Sequence, residues 1–414
     1  MGGRAKVLGV PVDGADEVLT PAALVLVVEL HDRFAIRREH LLAERQRRQD
    51  MVAVGEPLDF LPETAAIRAG DWQVAGPVTD AGPRPLLDLA DGISPTWPNL
   101  VAAQRSAQAG PVLLGPRGLH LTEKHLTIDA EPAVATFVDV GLHLAGWEAD
   151  APPPRLSLPM LESHLEARLW ADLLTWIEGA LGRPAGWVMV TVPVETIWAA
   201  FETDELLYEL RERAVGLTPA WCDYLFSLVK TFRGAGTEYV LPQRDLLDDT
   251  APFLQAYTDL LAATAARRGL GGPGSEAAVT GKDLLNIRSV PLTVTAPGLR
   301  STVEVALEYL VNWLAGTGSV AIAGHPVDLA TAELCRSQLW QWRRNRASLE
   351  GGRRITGYLV VAELDEATER LADRWAERPV GRELLAGARN LLYDAVTALR
   401  FTDFISVPAY ESMP

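Results

Sequence analysis

Val188-Met-Val-Thr-Val-Pro-Val-Glu195 is an apolar run that stops abruptly on a carboxylate. With Trp187 ahead of it, the run has the texture of a strand buried on both faces, as strands of a parallel sheet are. Working outward, helix-length segments flank it at Glu162–Leu181 and Thr196–Ala214, and Pro85–Ala90 and Pro111–Leu114 are further short apolar runs closed by Gly, Pro or polar residues. Strand and helix alternate, which makes the fold class α/β and points to a TIM-type β/α barrel. Functional groups of such a barrel gather just after its strands.

Toward the N-terminus, residues 17–50 read as two amphipathic helices opened by Thr20-Pro21, a cap followed by a first-turn proline. Residues 55–85, rich in Pro, Gly and Asp, read as an extended connection. Toward the C-terminus, Gly269-Leu-Gly-Gly-Pro-Gly-Ser-Glu276 is the strongest linker signal. Beyond it, Val303–Leu314, Thr331–Arg344, Ala362–Ala376 and Arg382–Leu399 have helical spacing. The expected organisation is a helical clasp with its extended connection over 1–83, a barrel over 84–268, a linker over 269–278 and a helical domain over 279–414.

Composition narrows the function. Asp and Glu number 54 against 38 Lys and Arg, and the net charge of −16 argues against nucleic acid or an anionic membrane as partner. Hydrophobic residues make up 48% of the 414, ample for a core. Cys222 and Cys335 are the only cysteines, which excludes a disulfide framework or a thiolate zinc site and fits a reducing, cytoplasmic setting. The apolar stretch Ala22–Leu30 is too short to span a bilayer, and Met1–Lys6 lacks a signal-peptide layout, so neither secretion nor a membrane span is expected.

Four positions carry candidate chemistry. Glu195, at the end of its strand, would face the site of a barrel; the alternative is a cap or first-turn acid on the next helix, which spacing alone slightly favours. Asp223 lies in Trp-Cys-Asp-Tyr-Leu-Phe, where an unpartnered charge would not be tolerated. Two such carboxylates converging from strand ends suit Mg²⁺, and a helix cap is about as common a role. Arg117, between Pro116 and Gly118 just after an apolar run, could clamp a carboxylate or stabilise an oxyanion, though a structural ion pair is the commoner fate of an arginine. Asp328, ahead of an Ala-rich helix, reads by spacing as its N-cap. His120, His125, His164 and His325 show no metal-ligand spacing, and neither a Walker loop nor a Gly-x-Ser-x-Gly elbow occurs.

Longer motifs add a resemblance. Leu158-Pro-Met-Leu-Glu-Ser-His-Leu-Glu-Ala-Arg-Leu-Trp170 and Glu195-Thr-Ile-Trp-Ala-Ala-Phe-Glu-Thr-Asp-Glu-Leu-Leu-Tyr-Glu-Leu210 resemble the matching stretches of A-type malate synthases. So do Asp59-Phe-Leu-Pro-Glu-Thr, Ala69-Gly-Asp-Trp, Ser94-Pro-Thr-Trp-Pro-Asn, Pro116-Arg-Gly-Leu-His-Leu-Thr-Glu-Lys-His125, Ala330-Thr-Ala-Glu, Gln338-Leu-Trp-Gln-Trp and Val407-Pro-Ala-Tyr-Glu411. The resemblance, which covers nearly the whole chain, implies a barrel with an N-terminal clasp and a helical C-terminal domain carrying the catalytic base. It implies a Claisen condensation of acetyl-CoA with glyoxylate, a glyoxylate-cycle reaction, followed by hydrolysis to malate and CoA, with Mg²⁺ polarising the keto acid. Carried over by position, Glu195 and Asp223 match the metal carboxylates, Arg117 the cation facing the enolate, and Asp328 the base. Asp88 matches the first acid of the family's Asp-Phe-Glu-Asp motif. Arg117, Asp88 and the loop residues Ala220, Trp221 and Cys222 are the implied substrate contacts.

Departures from the family pattern bear on that expectation. In Asp88-Leu-Ala-Asp91 the family's glutamate is Ala90; Pro219 and Ala220 stand where Cys and Gly are usual; and Val327 replaces an acid. Between Arg268 and Val279 only the Gly-rich linker stands in for a long segment with the last barrel strands, and residues near Ala75–Leu86 are also shortened. An incomplete barrel of roughly six strands follows, with an exposed edge to be covered, left open or paired in a homo-oligomer, for which light scattering is the check. A larger keto acid or a carrier-protein thioester stays open as substrate. Two alternatives stand beside the synthase: a non-catalytic or regulatory descendant, and a lyase cleaving a β-hydroxyacyl thioester.

Overall fold

The computed structural model describes residues 4–9, 12–75, 85–90, 97–109, 112–148, 151–271, 274–275 and 278–413. Its strands are β1 (Ala5–Val7), β2 (Leu86–Asp88), β3 (Leu113–Gly115), β4 (Thr122–Ile128), β5 (Glu131–Val134), β6 (Arg155–Ser157), β7 (Met189–Val194), β8 (Ala214–Pro219), β9 (Val320–Ile322) and β10 (His325–Val327). Five of them form one sheet in the order β2-β3-β6-β7-β8, every pair parallel. Spatial order follows chain order, as it does around a β/α barrel. The sheet does not close among the described residues, so the incomplete barrel is present with five strands rather than about six.

β7 shows why these residues pair as they do. Val190, Val192 and Val194 are wholly buried, and the β-branched side chains suit a sheet covered on both faces. Pro193, which has no N–H for a ladder, falls where its absence is tolerated: β6 pairs with Met189–Thr191 only, so beyond Thr191 the strand is flanked by β8 alone. Gly216 of β8 lies opposite Thr191, where a Cβ would sit 3.1 Å from the threonine side chain.

Helices fill the connections. They are α1 (Pro21–Ala53), α2 (Trp97–Ala109), α3 (Ala135–Ala145), α4 (His164–Ala180), α5 (Ile197–Phe201), α6 (Thr203–Glu209), α7 (Trp221–Thr231), α8 (Pro252–Arg267), α9 (Ala296–Leu314), α10 (Leu329–Arg344), α11 (Gly357–Ala376) and α12 (Gly381–Thr397). Two sequence expectations change here. Where two amphipathic helices were expected over 17–50, a short helix Ala15–Val18 is followed by one long helix, the 33-residue α1 over Pro21–Ala53. The single helix expected over Thr196–Ala214 is broken into α5 and α6, and Ala214 opens β8. An antiparallel sheet, β1-β4-β5, was not foreseen at all; Asp129 and Ala130, both with positive φ, make its two-residue turn.

By contacts the chain divides into two compact units. One comprises Met1–Arg48, Asp59–Ala220 and Asp259–Ala277; the other comprises Gln49–Leu58, Trp221–Thr258 and Ala278–Pro414. The second is helical, with Trp342, Trp375, Tyr309, Leu364 and Leu392 buried among α9–α12. The motif Gln338-Leu-Trp-Gln-Trp342 now has a physical role: Gln338 Nε2, Gln341 Nε2 and Trp342 Nε1 donate to the carbonyls of Pro242, Tyr239 and Leu241 at 2.6, 2.8 and 2.7 Å. An extended segment is thus paired without a sheet. No described helix is long and apolar enough to cross a membrane.

Candidate active site

The C-terminal ends of the parallel strands bring three of the expected residues to one end of the sheet. Asp88 is the last residue of β2, Glu195 follows β7 directly, and Arg117 follows β3 by two residues. The Asp88 carboxylate accepts from the Ala90 N–H at 2.8 Å, a local turn that fixes it. Asp91, of the same motif, lies outside the described residues.

Glu195 is not the helix cap that spacing allowed. Thr196 caps α5, its hydroxyl accepting from the Ala199 N–H at 3.0 Å and donating to the Leu161 carbonyl at 2.7 Å. The Glu195 carboxylate accepts instead from the Met160 N–H, in the loop after β6. Desolvation raises its pKa to about 8 against that hydrogen bond, and repulsion from Asp88 adds to the rise. Two carboxylates from different strands therefore repel each other at this end of the sheet.

Arg117 is buried, with 4% exposure. Its Nε and Nη2 grip Asp139 of α3 at 3.0 and 2.7 Å, its own N–H reaches the same carboxylate at 2.9 Å, and Nη1 lies 2.8 Å from Glu123 of β4. Glu123 also meets His125 Nδ1 at 2.8 Å. Both carboxylates are fully buried. The guanidinium is thus fixed in place, and the structural ion pair that was one reading of Arg117 is present. Gly118 gives this turn its shape, since a Cβ there would lie 2.9 Å from the His120 ring.

In the second unit, the β9–β10 hairpin turns on Ala323 and Gly324, both with positive φ, and delivers Asp328 to the start of α10. Asp328 is the N-cap, as its spacing indicated: one oxygen, Oδ1, accepts from the Thr331 N–H at 2.9 Å and from its hydroxyl at 2.7 Å. The residue is exposed. The Thr331 hydroxyl lies 3.6 Å from Cys222 Sγ, and burial pushes that thiol up to about 11, with Asp328 and Asp223 adding to the rise. Asp223, half-buried, sits in the first turn of α7, where a helix favours negative charge. Ala220 closes a segment of the first unit, and Trp221 and Cys222 open α7 in the second.

No group of three His, Cys, Asp or Glu side chains placed to hold a metal ion occurs among the described residues. The donor chemistry at the sheet end nevertheless fits Mg²⁺. That ion takes one or two protein carboxylates and keeps water or substrate oxygens for the rest of its shell, and the mutual repulsion of Asp88 and Glu195 is what a dication between them would relieve.

Asp139, Glu123, Met160 and Thr331 were not singled out from sequence. Asp139 had a signal, as the lone acid in the apolar run Ala135-Thr-Phe-Val-Asp-Val-Gly-Leu. Glu123 and His125 share a strand face by their i, i+2 spacing. Met160 had none.

Comparisons with known proteins identify the family. Residues 5–66 match the malate synthase N-terminal domain, 111–292 the malate synthase TIM barrel domain, and 293–413 the malate synthase C-terminal family. The chain is 35% identical to the malate synthase of Streptomyces clavuligerus, with 96% of each chain covered, and 34% identical to that of Myxococcus xanthus, covering 96% of this chain and 94% of the relative. A malate synthase of Streptomyces arenae is 31% identical over 97% of each. The first of these alignments runs over 529 positions against a chain of 414, so at least 115 positions face gaps in this chain. With all three domain families matched in order and identity sustained from end to end across those deletions, the chain belongs to the malate synthase family.

Proposed function

We propose that the protein condenses acetyl-CoA with glyoxylate and hydrolyses the resulting thioester, releasing malate and CoA. The observation that carries this reading is the guanidinium of Arg117, locked by Asp139 and Glu123 at the strand ends of a chain of this family. A methyl group beside a thioester is a weak acid, and a carboxylate removes its proton only where positive charge meets the enolate oxygen. Asp328 is the base: Thr331 ties Oδ1, which orients the carboxylate for proton transfer. Arg117 faces the enolate oxygen. The enolate carbon attacks the aldehyde carbon of glyoxylate, forming the new C–C bond, and water then displaces the thiol of CoA.

Glu195 and Asp88 would supply oxygen donors to Mg²⁺, which when bound polarises the carbonyl of the keto acid; the family motif implies Asp223 as a further donor. The family motifs imply Arg117, Asp88, Ala220 and, at the start of α7, Trp221 and Cys222 as substrate contacts, and Pro219 and Ala220 depart from the family pattern for the keto acid. Both cysteines are free thiols, in keeping with a cytoplasmic enzyme. The test is product identity. Acetyl-CoA labelled with ¹³C in its methyl group and mixed with glyoxylate should give malate labelled at its methylene carbon, read by NMR. Recovery of labelled acetate without malate would refute the condensation.

A further inference from the structure

Met160 is held in a backbone conformation that methionine rarely adopts. Its φ is +54, in the left-handed region, and nothing about a branched or β-carbon-bearing side chain favours that state. Such strain persists only where surrounding contacts over-determine it. Here the two peptide groups of Met160 point at different partners: its N–H donates to the Glu195 carboxylate, and its carbonyl accepts from Arg45 Nη2 at 2.6 Å.

Arg45 is itself firmly anchored. It lies on α1, more than a hundred residues earlier in the chain, with 9% of its side chain exposed. Its Nε and Nη2 fork onto Glu166 of α4 at 2.6 and 2.7 Å, and Glu166 is almost wholly buried. Two neighbours fasten the same loop: Arg48 Nη1 donates to the Glu162 carbonyl at 3.0 Å, and the Thr196 hydroxyl to that of Leu161 at 2.7 Å. The loop after β6 is thus pinned at consecutive carbonyls, two of them by arginines from α1.

We propose that Arg45 and Met160 are positioning residues for the metal-binding carboxylate. Arg45 holds the Met160 peptide in its left-handed turn, and the Met160 N–H then fixes one oxygen of Glu195, leaving the other to meet the cation. This rests on the reading of Glu195 as a ligand for a divalent ion. Partners that orient a ligating carboxylate typically change metal affinity by about 10- to 100-fold when removed.

The probe is Mn²⁺ alone, titrated into the full-length chain and followed by the EPR signal of the free ion, with thermal unfolding recorded for each variant. Glu195→Gln tests the underlying reading: unchanged Mn²⁺ affinity in this variant would overturn the metal site itself. Arg45→Ala removes the anchor, and Met160→Pro removes the N–H and the left-handed backbone without disturbing a buried ion pair. Each is expected to weaken Mn²⁺ binding about 10- to 100-fold. Met160→Gly keeps the N–H and enters the left-handed region freely, so it should bind Mn²⁺ as tightly as the wild type, whereas Met160→Pro should bind more weakly even at a temperature where thermal unfolding shows it fully folded. If Glu195→Gln loses affinity while folded Met160→Pro binds Mn²⁺ as the wild type does, the positioning role is refuted and the metal site stands.

Discussion

Arg117 is held by Asp139 and Glu123 through a fork that lysine cannot reproduce. Arg117→Lys should therefore lower kcat by about 10²- to 10³-fold, the range found when one oxyanion donor is lost, and initial rates at saturating glyoxylate check it. Asp328 allows a sharper separation, because its Oδ1 serves as cap and its carboxylate as proposed base. Asparagine caps a helix about as well as aspartate, whereas alanine costs about 1 kcal/mol. Asp328→Asn should unfold at the wild-type temperature with its turnover gone, and Asp328→Ala should lose both turnover and that increment of stability. Loss of stability in Asp328→Asn would make the residue structural. Both roles of Asp328 were open to sequence, since an acid ahead of an Ala-rich helix says cap and the family motif says base. Met160 was not legible, because nothing in a Pro-Met-Leu triplet signals a left-handed peptide; the requirement comes from Arg45 and Glu195, far away in the chain.

At the scale of elements, the end of α8 is heavily fastened. Arg268, 1% exposed, pairs with Asp204 of α6 at 2.6 Å, donates to the carbonyls of Gly70 and Arg68 at 2.6 and 2.7 Å, and lies 4.1 Å over the Trp72 ring. Breaking a buried ion pair from one side costs about 3–5 kcal/mol. Arg267 stays 2.7 Å from Asp204, so Arg268→Ala should fall at the lower end, about 3 kcal/mol, seen as a lower midpoint in urea unfolding. The Ala69-Gly-Asp-Trp motif therefore owes its place to a residue just before the Gly-rich linker, a pairing that spacing cannot show. Helix α1 is longer than its pattern suggested for a similar reason. In its middle the His31 ring donates through Nδ1 to Val27 O at 2.8 Å and accepts through Nε2 from Val134 N–H at 2.7 Å, while Asp32 pairs with Arg4 at 2.8 Å. Contacts across the fold carry the helix through this segment.

For the molecule as a whole, burial of two histidines sets an acid limit to stability. Desolvation lowers the pKa of His143 to about 3, and that of His31 is also lowered. The unfolded chain protonates both near pH 6.5; between there and pH 3 it binds a proton at His143 that the folded chain does not, so stability falls as pH falls, and His31 acts in the same direction. The His143 contribution is about 1.4 kcal/mol per pH unit, and His143→Leu should flatten the fall of unfolding free energy between pH 6 and pH 4 by that slope, read by urea unfolding at each pH. At this scale the alternation of strands and helices was readable from apolar runs, and the shortened barrel from the family resemblance, in which the linker at Gly269 replaces a long segment. The interleaving of Trp221–Thr258 with the C-terminal helices was not, because it depends on side chains such as Gln341 and Trp342 pairing with a distant irregular segment. Whether the shortened chain still runs the chemistry of its family is decided most directly by release of free thiol from acetyl-CoA in the presence of glyoxylate, with and without Mg²⁺, in wild type and Asp328→Asn. The expected result is release that requires both glyoxylate and Mg²⁺ and disappears in Asp328→Asn; wild-type protein that releases no thiol, or Asp328→Asn that releases it at the wild-type rate, would contradict it.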